Sequence, residues 1–238
     1  MLNITEIKTH IATAVRVFQE NIPGVEIPKI VVVSSSRRQA VRDRALAECG
    51  TVKEDAYGTS GEVIHGPLDT QILVYQSMLK CESQVLHTVW HELGHILFGT
   101  EKDYGIDLNL DTPLRSGYAL FNEFLAEYVA LFLNGNERFG NVYNPNMYLQ
   151  MAVQGNNVTP YWLSFYYAIM VGDNTVEESR LLEGEQYLSP KAWNNIKYIM
   201  NMLFDQTNKE EFWKVDHEFL VNLGKAFDNL YHVVFWNQ

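Results

Sequence analysis

The residues His91-Glu92-Leu93-Gly94-His95 lie within a run, Glu82 to Phe98, whose apolar spacing predicts a helix. Side chains four apart on a helix leave the same face one turn apart, so both imidazoles can reach one ion at a Zn–N distance of about 2.0–2.1 Å. Glu92 stands about 100° round the helix from His91, which sets its carboxylate beside such an ion rather than on it. That is where a general base belongs: a zinc-bound water is acidified towards a pKa of about 7, and a neighbouring carboxylate takes its proton as it attacks a carbonyl. With 7 histidines in 238 residues, HExxH arises by chance in about one chain in a hundred. The bland alternative is two core histidines hydrogen-bonded to neighbours. Against it, Val85, Leu86, Val89, Trp90, Leu93 and Leu97 supply an apolar stripe beside the histidines, so the motif lies on a helix built for burial. Gly94 lowers helix propensity by about 1 kcal/mol against alanine and leaves room for another backbone.

His87 extends the histidine stripe, but three histidines along a straight helix span about 12 Å and cannot share one ion, so His87 reads as a supporting or core residue. A third ligand must come from elsewhere, and a carboxylate often completes a two-histidine catalytic site, with water in the fourth position. Glu123 and Glu127 lie four apart in a second periodic helix, Gly117 to Leu133, with Leu120, Phe124, Leu131 and Phe132 for packing. Two acids on so apolar a helix are costly to bury unless a cation lies opposite. Glu123 is therefore assigned to a single Zn2+ ion with His91 and His95, and Glu127 to a hydrogen bond on a ligand histidine. The alternative is a solvent-facing acidic edge. Asp103, just past the motif helix, is the minority third ligand. An oxyanion donor is not singled out: His217 and Tyr118, Tyr161, Tyr166 and Tyr167 are the candidates. Asp107, Asn109 and Asp111 begin like a calcium loop, but Thr112 stands where the turn glycine belongs and Tyr118 where the closing glutamate belongs, so no calcium site is expected.

At these residues the chain resembles the gluzincins, zinc metallopeptidases with HExxH followed by a glutamate ligand on a downstream helix. The Asn122-Glu123…Glu127 spacing is similar to the NExxxD arrangement of thermolysin-like enzymes, in which the first acid binds zinc and the second supports a histidine. A short strand (Gln71 to Gln76), a helix ending in HELGH and an acid-bearing helix together resemble the ImmA/IrrE-type peptidases of bacteria and their mobile elements. This likeness covers roughly Gln71 to Leu133. It implies a zincin-like core, peptide-bond hydrolysis, and cleavage of a regulatory protein at one or a few places. The metzincin pattern is not met, because Phe98 and Glu101 stand where its glycine and third histidine belong. Gly99 to Asp103 resembles the aspartate segment of the aspzincins only superficially.

The elements that must hold these groups follow from periodicity. Ile4, Ile7, Ile11, Val15 and Phe18 describe an amphipathic first helix, with Asn3 and Glu6 as a capping box, and not a secretory signal. Ile30 to Val33, Glu62 to His65 and Gln71 to Gln76 read as strands, with turn signals at Gly58, Gly61 and Gly66-Pro67. Arg37 to Glu48 reads as a helix whose arginines (Arg37, Arg38, Arg42 and Arg44) form a solvated face rather than a phosphate site. Beyond Cys81 the pattern is helical, with starts at Thr159-Pro160, Ser189-Pro190 and Asn208, the last opening a helix from Lys209 to about Val233. Glu101 to Arg115 and Asn134 to Asn146 read as exposed connections.

The fold class is therefore α+β: a small N-terminal sheet, an active-site helix and a largely helical C-terminal half. Residues 1–135 are expected to form the catalytic core and 136–238 a helical subdomain packed on it. Lys plus Arg is 18 against 29 Asp plus Glu, a net charge of -11, so nucleic acid and anionic membranes are repelled on average. Cys49 and Cys81 form no CxxC pair, which argues for reduced thiols and a cytoplasmic protein, with leaderless secretion as the alternative. The expected partner is a protein or peptide substrate, and strand Gln71 to Gln76 is a candidate to pair with it in extended form. Two rival functions share these residues: a zinc-stabilised binding module without peptidase activity, and an effector with the same chemistry acting on a host protein. Oligomeric state cannot be read from these patterns.

Overall fold

Asn3 accepts a hydrogen bond from the Glu6 N–H (2.9 Å) while the Glu6 carboxylate accepts from the Asn3 N–H (2.7 Å), so the first helix is closed by the reciprocal cap its sequence predicts. The computed structural model describes residues 2–49, 59–65, 70–107, 109–135, 145–154, 160–172 and 188–235. The expected turns at Gly58 and Gly66-Pro67, and the cap at Thr159, lie outside these residues. The chain forms two compact units, Met1–Leu97 and Phe98–Gln238.

In the first unit, α1 (Ile4–Asn21) buries Ile7, Ile11, Ala14 and Phe18, the stripe that its three- and four-residue spacing defines. Strands β1 (Lys29–Val33), β2 (Gly61–His65) and β3 (Thr70–Tyr75) form a sheet of order β1-β3-β2. β1 runs parallel to β3, with Val31 opposite Leu73, and β2 antiparallel to it, with Ile64 opposite Gln71. β3 thus occupies the middle, and Ile72, Leu73 and Val74 are fully buried, as the apolar run of a central strand requires. This corrects the expectation that the Gln71 to Gln76 strand takes up a substrate: both its edges are hydrogen-bonded already, and Gln76 opens a 3-10 turn (Gln76–Met78) instead. Helix α2 (Arg38–Cys49) lays Ala45 and Leu46 on a cluster with Val33, Ile64, Leu73 and Tyr75.

Two arginines of α2 are not on a solvated face. Arg42 is only 2% exposed, and its Nε lies 3.0 and 3.1 Å from the two carboxylate oxygens of Glu62. The Tyr75 hydroxyl donates to the same carboxylate (3.2 Å), and the Arg38 guanidinium lies 4.0 Å over the Tyr75 ring. Burial first, and then the Glu62 charge, push the Tyr75 phenol well above its ordinary range. The position of Arg42 in sequence resembles that of its exposed neighbours; the facing acid on β2 offsets the cost of its burial.

The second unit is helical: α4 (Pro113–Leu133), α5 (Pro145–Gln154), α6 (Pro160–Gly172), α7 (Pro190–Thr207) and α8 (His217–Phe235), while α3 (Glu82–Phe98) carries the HExxH motif and ends where this unit begins. α4 starts four residues before the expected Gly117, with Thr112 as cap and Pro113 in the first turn. It packs against α6 and α8, so it groups with the later helices. Ser189 caps α7 as expected, accepting from the Ala192 N–H. Asn208, however, ends α7 and does not open a new helix. Buried Gln206 donates to the Phe212 and Lys214 carbonyls (2.8 and 2.9 Å), which folds the chain back, and Asp216 then caps α8 by accepting from the Phe219 N–H.

α4 and α8 cross at two glycines. A carbon added at Gly117 would run into the Leu220 carbonyl oxygen, and one at Gly224 into that of Pro113. Neither overlap involves a side chain that could turn aside. We expect Gly224→Ala to destabilise the protein by about 3 kcal/mol or more in urea unfolding. Gly172→Ala, whose added carbon meets nothing nearer than 3.6 Å, should change stability by less than about 0.5 kcal/mol. In the first unit, Arg42→Ala leaves the Glu62 carboxylate buried without its cation and should cost about 3–5 kcal/mol by the same measurement. The paired replacement Arg42→Met with Glu62→Leu should recover most of that loss.

Candidate functional site

The rotation of α3 about its axis is set by its apolar side. Val85, Val89 and Leu93 are fully buried, and the Trp90 indole N–H donates to the Ala14 carbonyl of α1 (3.0 Å). With that face committed, His87, His91 and His95 share another and are each partly exposed. The His91 and His95 rings stand edge-on with centroids 4.9 Å apart, and the His87 and His91 rings stack at 6.1 Å. Glu92 is buried, at 6% exposed, and its side chain lies against the start of β2: a carbon added at Gly61 would come 2.8 Å from its Oε1. Next to it, Thr88 donates through Oγ1 to the Ser60 hydroxyl (2.9 Å).

On α4, Leu120, Phe121, Phe124, Leu125, Ala126, Val129 and Ala130 are buried, and among them Glu127 is fully buried while Glu123 is half-buried. Glu127 is therefore not part of a solvent-facing acidic edge. Burial, and then the Glu127 charge, push the Tyr148 phenol on α5 up to about 12. A carboxylate in such surroundings calls for cationic or hydrogen-bonding neighbours.

One ligand atom from each of His91, His95 and Glu123 lies within 4.8 Å of the other two, and the same holds for His87, His91 and Glu127. Three atoms bonded to a tetrahedral zinc at about 2.0–2.1 Å stand about 3.3 Å apart, a spacing within that 4.8 Å limit. The donor set of the first group, two imidazoles and one carboxylate, is of the type zinc accepts. Both groups draw on His91.

The remaining candidates sit differently. Asp103 belongs to neither group; its Oδ2 accepts from the N–H and hydroxyl of Thr100 (both 2.8 Å), closing the turn after α3. Asp107 likewise folds its own loop, accepting from the Asn109 N–H and side-chain amide. Among the oxyanion candidates, Tyr166 and Tyr167 are fully buried in α6 and Tyr118 donates to the Gly99 carbonyl (2.8 Å), so these three serve the interior. Tyr161 and His217 are exposed. Thr88 went unnoticed in the sequence, and Gly61, read there as a turn signal, instead opens β2 and is buried. No helix among the described residues is long and apolar enough to cross a membrane. Comparison with protein-family models, curated proteins and solved structures finds no match.

Proposed function

We propose that the protein is a zinc-dependent metallopeptidase of gluzincin type, with a zincin-like arrangement of sheet, motif helix and acid-bearing helix. The observation that carries this reading is the grouping of ligand atoms from His91, His95 and Glu123, with Glu92 next to the first ligand on α3. Metal binding alone has no use for Glu92, and its burial at the start of β2 holds a carboxylate in a defined place. His91, His95 and Glu123 hold the ion, and Glu127 orients a histidine. Bound zinc supplies a Lewis acid that polarises a carbonyl and acidifies water. Glu92 accepts a proton from the attacking water and passes it to the leaving amine. The substrate is a peptide bond; the ImmA/IrrE likeness points to a regulatory or host protein cut at few places.

The deciding experiment loads wild type and Glu92→Gln with zinc, measures metal content, and follows cleavage of a complex peptide library by mass spectrometry. Both proteins should hold one zinc, and the variant should cleave about 10²–10⁴-fold more slowly. Equal cleavage by both would exclude Glu92 as the base, and full zinc occupancy with no cleavage by wild type would leave a zinc-stabilised binding module. Metal competition titrations check the ligands: Glu127→Gln should weaken zinc binding about 10–100-fold, and Glu123→Ala should weaken it further. Undiminished affinity in Glu123→Ala would remove Glu123 from the ligand set.

A further inference from the structure

Gly61 opens β2 opposite Val74, is buried, and has no left-handed backbone angle; among the described residues the glycines with positive φ are Gly24, Gly99, Gly105 and Gly135. Backbone conformation therefore does not require glycine there, and a glycine in a strand interior weakens the strand by giving it nothing to pack. Space does require it. A carbon at Gly61 would lie 2.7 Å from the Thr88 Cγ2, 2.8 Å from the Glu92 Oε1 and 2.9 Å from the Glu92 Cγ. Thr88 and Glu92 are four apart on α3, so one face of the motif helix rests on this one residue of the strand.

The strand has little room to retreat. Ser60 accepts at its carbonyl from the Tyr75 N–H of β3 (2.9 Å) and at its hydroxyl from Thr88 of α3 (2.9 Å), so the backbone just before Gly61 is held from both sides. We infer that Gly61 is a positioning residue: it leaves open the volume in which the Glu92 carboxylate lies, and so decides where the oxygen of the proposed general base is held. It acts through Glu92 and touches no substrate. This inference rests on the peptidase reading for its consequence in catalysis, and on the packing alone for its structural content.

A side chain at Gly61 displaces the end of the Glu92 side chain, which can turn, so Gly61→Ala folds and keeps its zinc while the carboxylate is moved. A displacement of about 1 Å at a reacting group can cost about 10²-fold in rate, so kcat should fall about 10–100-fold with KM unchanged. In the Glu92→Gln background the same substitution should lower kcat less than about twofold, because the group it displaces no longer acts as a base. A second measurement needs no activity: urea midpoints of the metal-free protein for Gly61→Ala, Glu92→Ala and the double variant. About half or more of the midpoint loss caused by Gly61→Ala should vanish when the Glu92 side chain is gone.

If Gly61→Ala is too unstable to purify, Gly61→Ala with Thr88→Ser removes the methyl group at 2.7 Å, keeps the hydroxyl bonded to Ser60, and carries the same tests. Strictly additive midpoint losses, or an equal fall in kcat in both backgrounds, would overturn the positioning role. A wild-type protein that holds zinc and cleaves nothing overturns the peptidase reading instead, and the midpoint cycle then judges Gly61 by itself.

Discussion

Helix α3 has to satisfy two demands with one rotation about its axis. Val85, Val89 and Leu93 go into the interior, and the indole of Trp90 finds the Ala14 carbonyl, which leaves the histidines on a face that is only partly covered. Rotating the helix to bury the imidazoles would expose the valines and break the indole hydrogen bond, both unfavourable. The angular offset between apolar and imidazole stripes therefore places the histidines, and it is intrinsic to the 3.6-residue period. Glu92 takes the third direction, toward the sheet.

The sheet acts as a backstop for that direction. β3 occupies the centre because its run of apolar residues can be buried on both faces, whereas β2 brings Glu62 for Arg42 and Gly61 for Glu92. One short strand thus answers an arginine on α2 and a glutamate on α3. The first answer is a charged pair with a tyrosine hydroxyl; the second is an absence of side chain. Both charges are buried, so each needs its surroundings shaped around it more closely than an apolar group would.

In the helical unit the same economy appears at the crossing of α4 and α8, where Gly117 and Gly224 let two backbones meet with no side chain between them. Close approach there ties α4 to the later helices, and the aromatic residues Tyr128, Phe132 and Phe212 continue the contact at its other end. α4 in turn presents a fully buried Glu127 and a half-buried Glu123, two acids of one helix face in different surroundings.

Much of this was legible along the chain. The bounds of α3, the three strands to within a residue, the caps at Asn3 and Ser189, and the residues that make up the His91, His95 and Glu123 group all follow from patterns within a few residues of one another. Local periodicity and capping chemistry act over one or two turns, so they can be read before folding. The burial of Arg42, the central place of β3, the return of the chain at Gln206 that delays α8 to His217, and the use of Gly61 were not legible in this way. Each depends on a partner brought near by the fold: Glu62 for the arginine, β1 and β2 on either side of β3, Phe212 and Lys214 for the glutamine, Glu92 for the glycine. Spacing names the groups able to do chemistry, but packing between distant segments decides which of them are held still, because no residue carries in its own neighbourhood the identity of what will press against it.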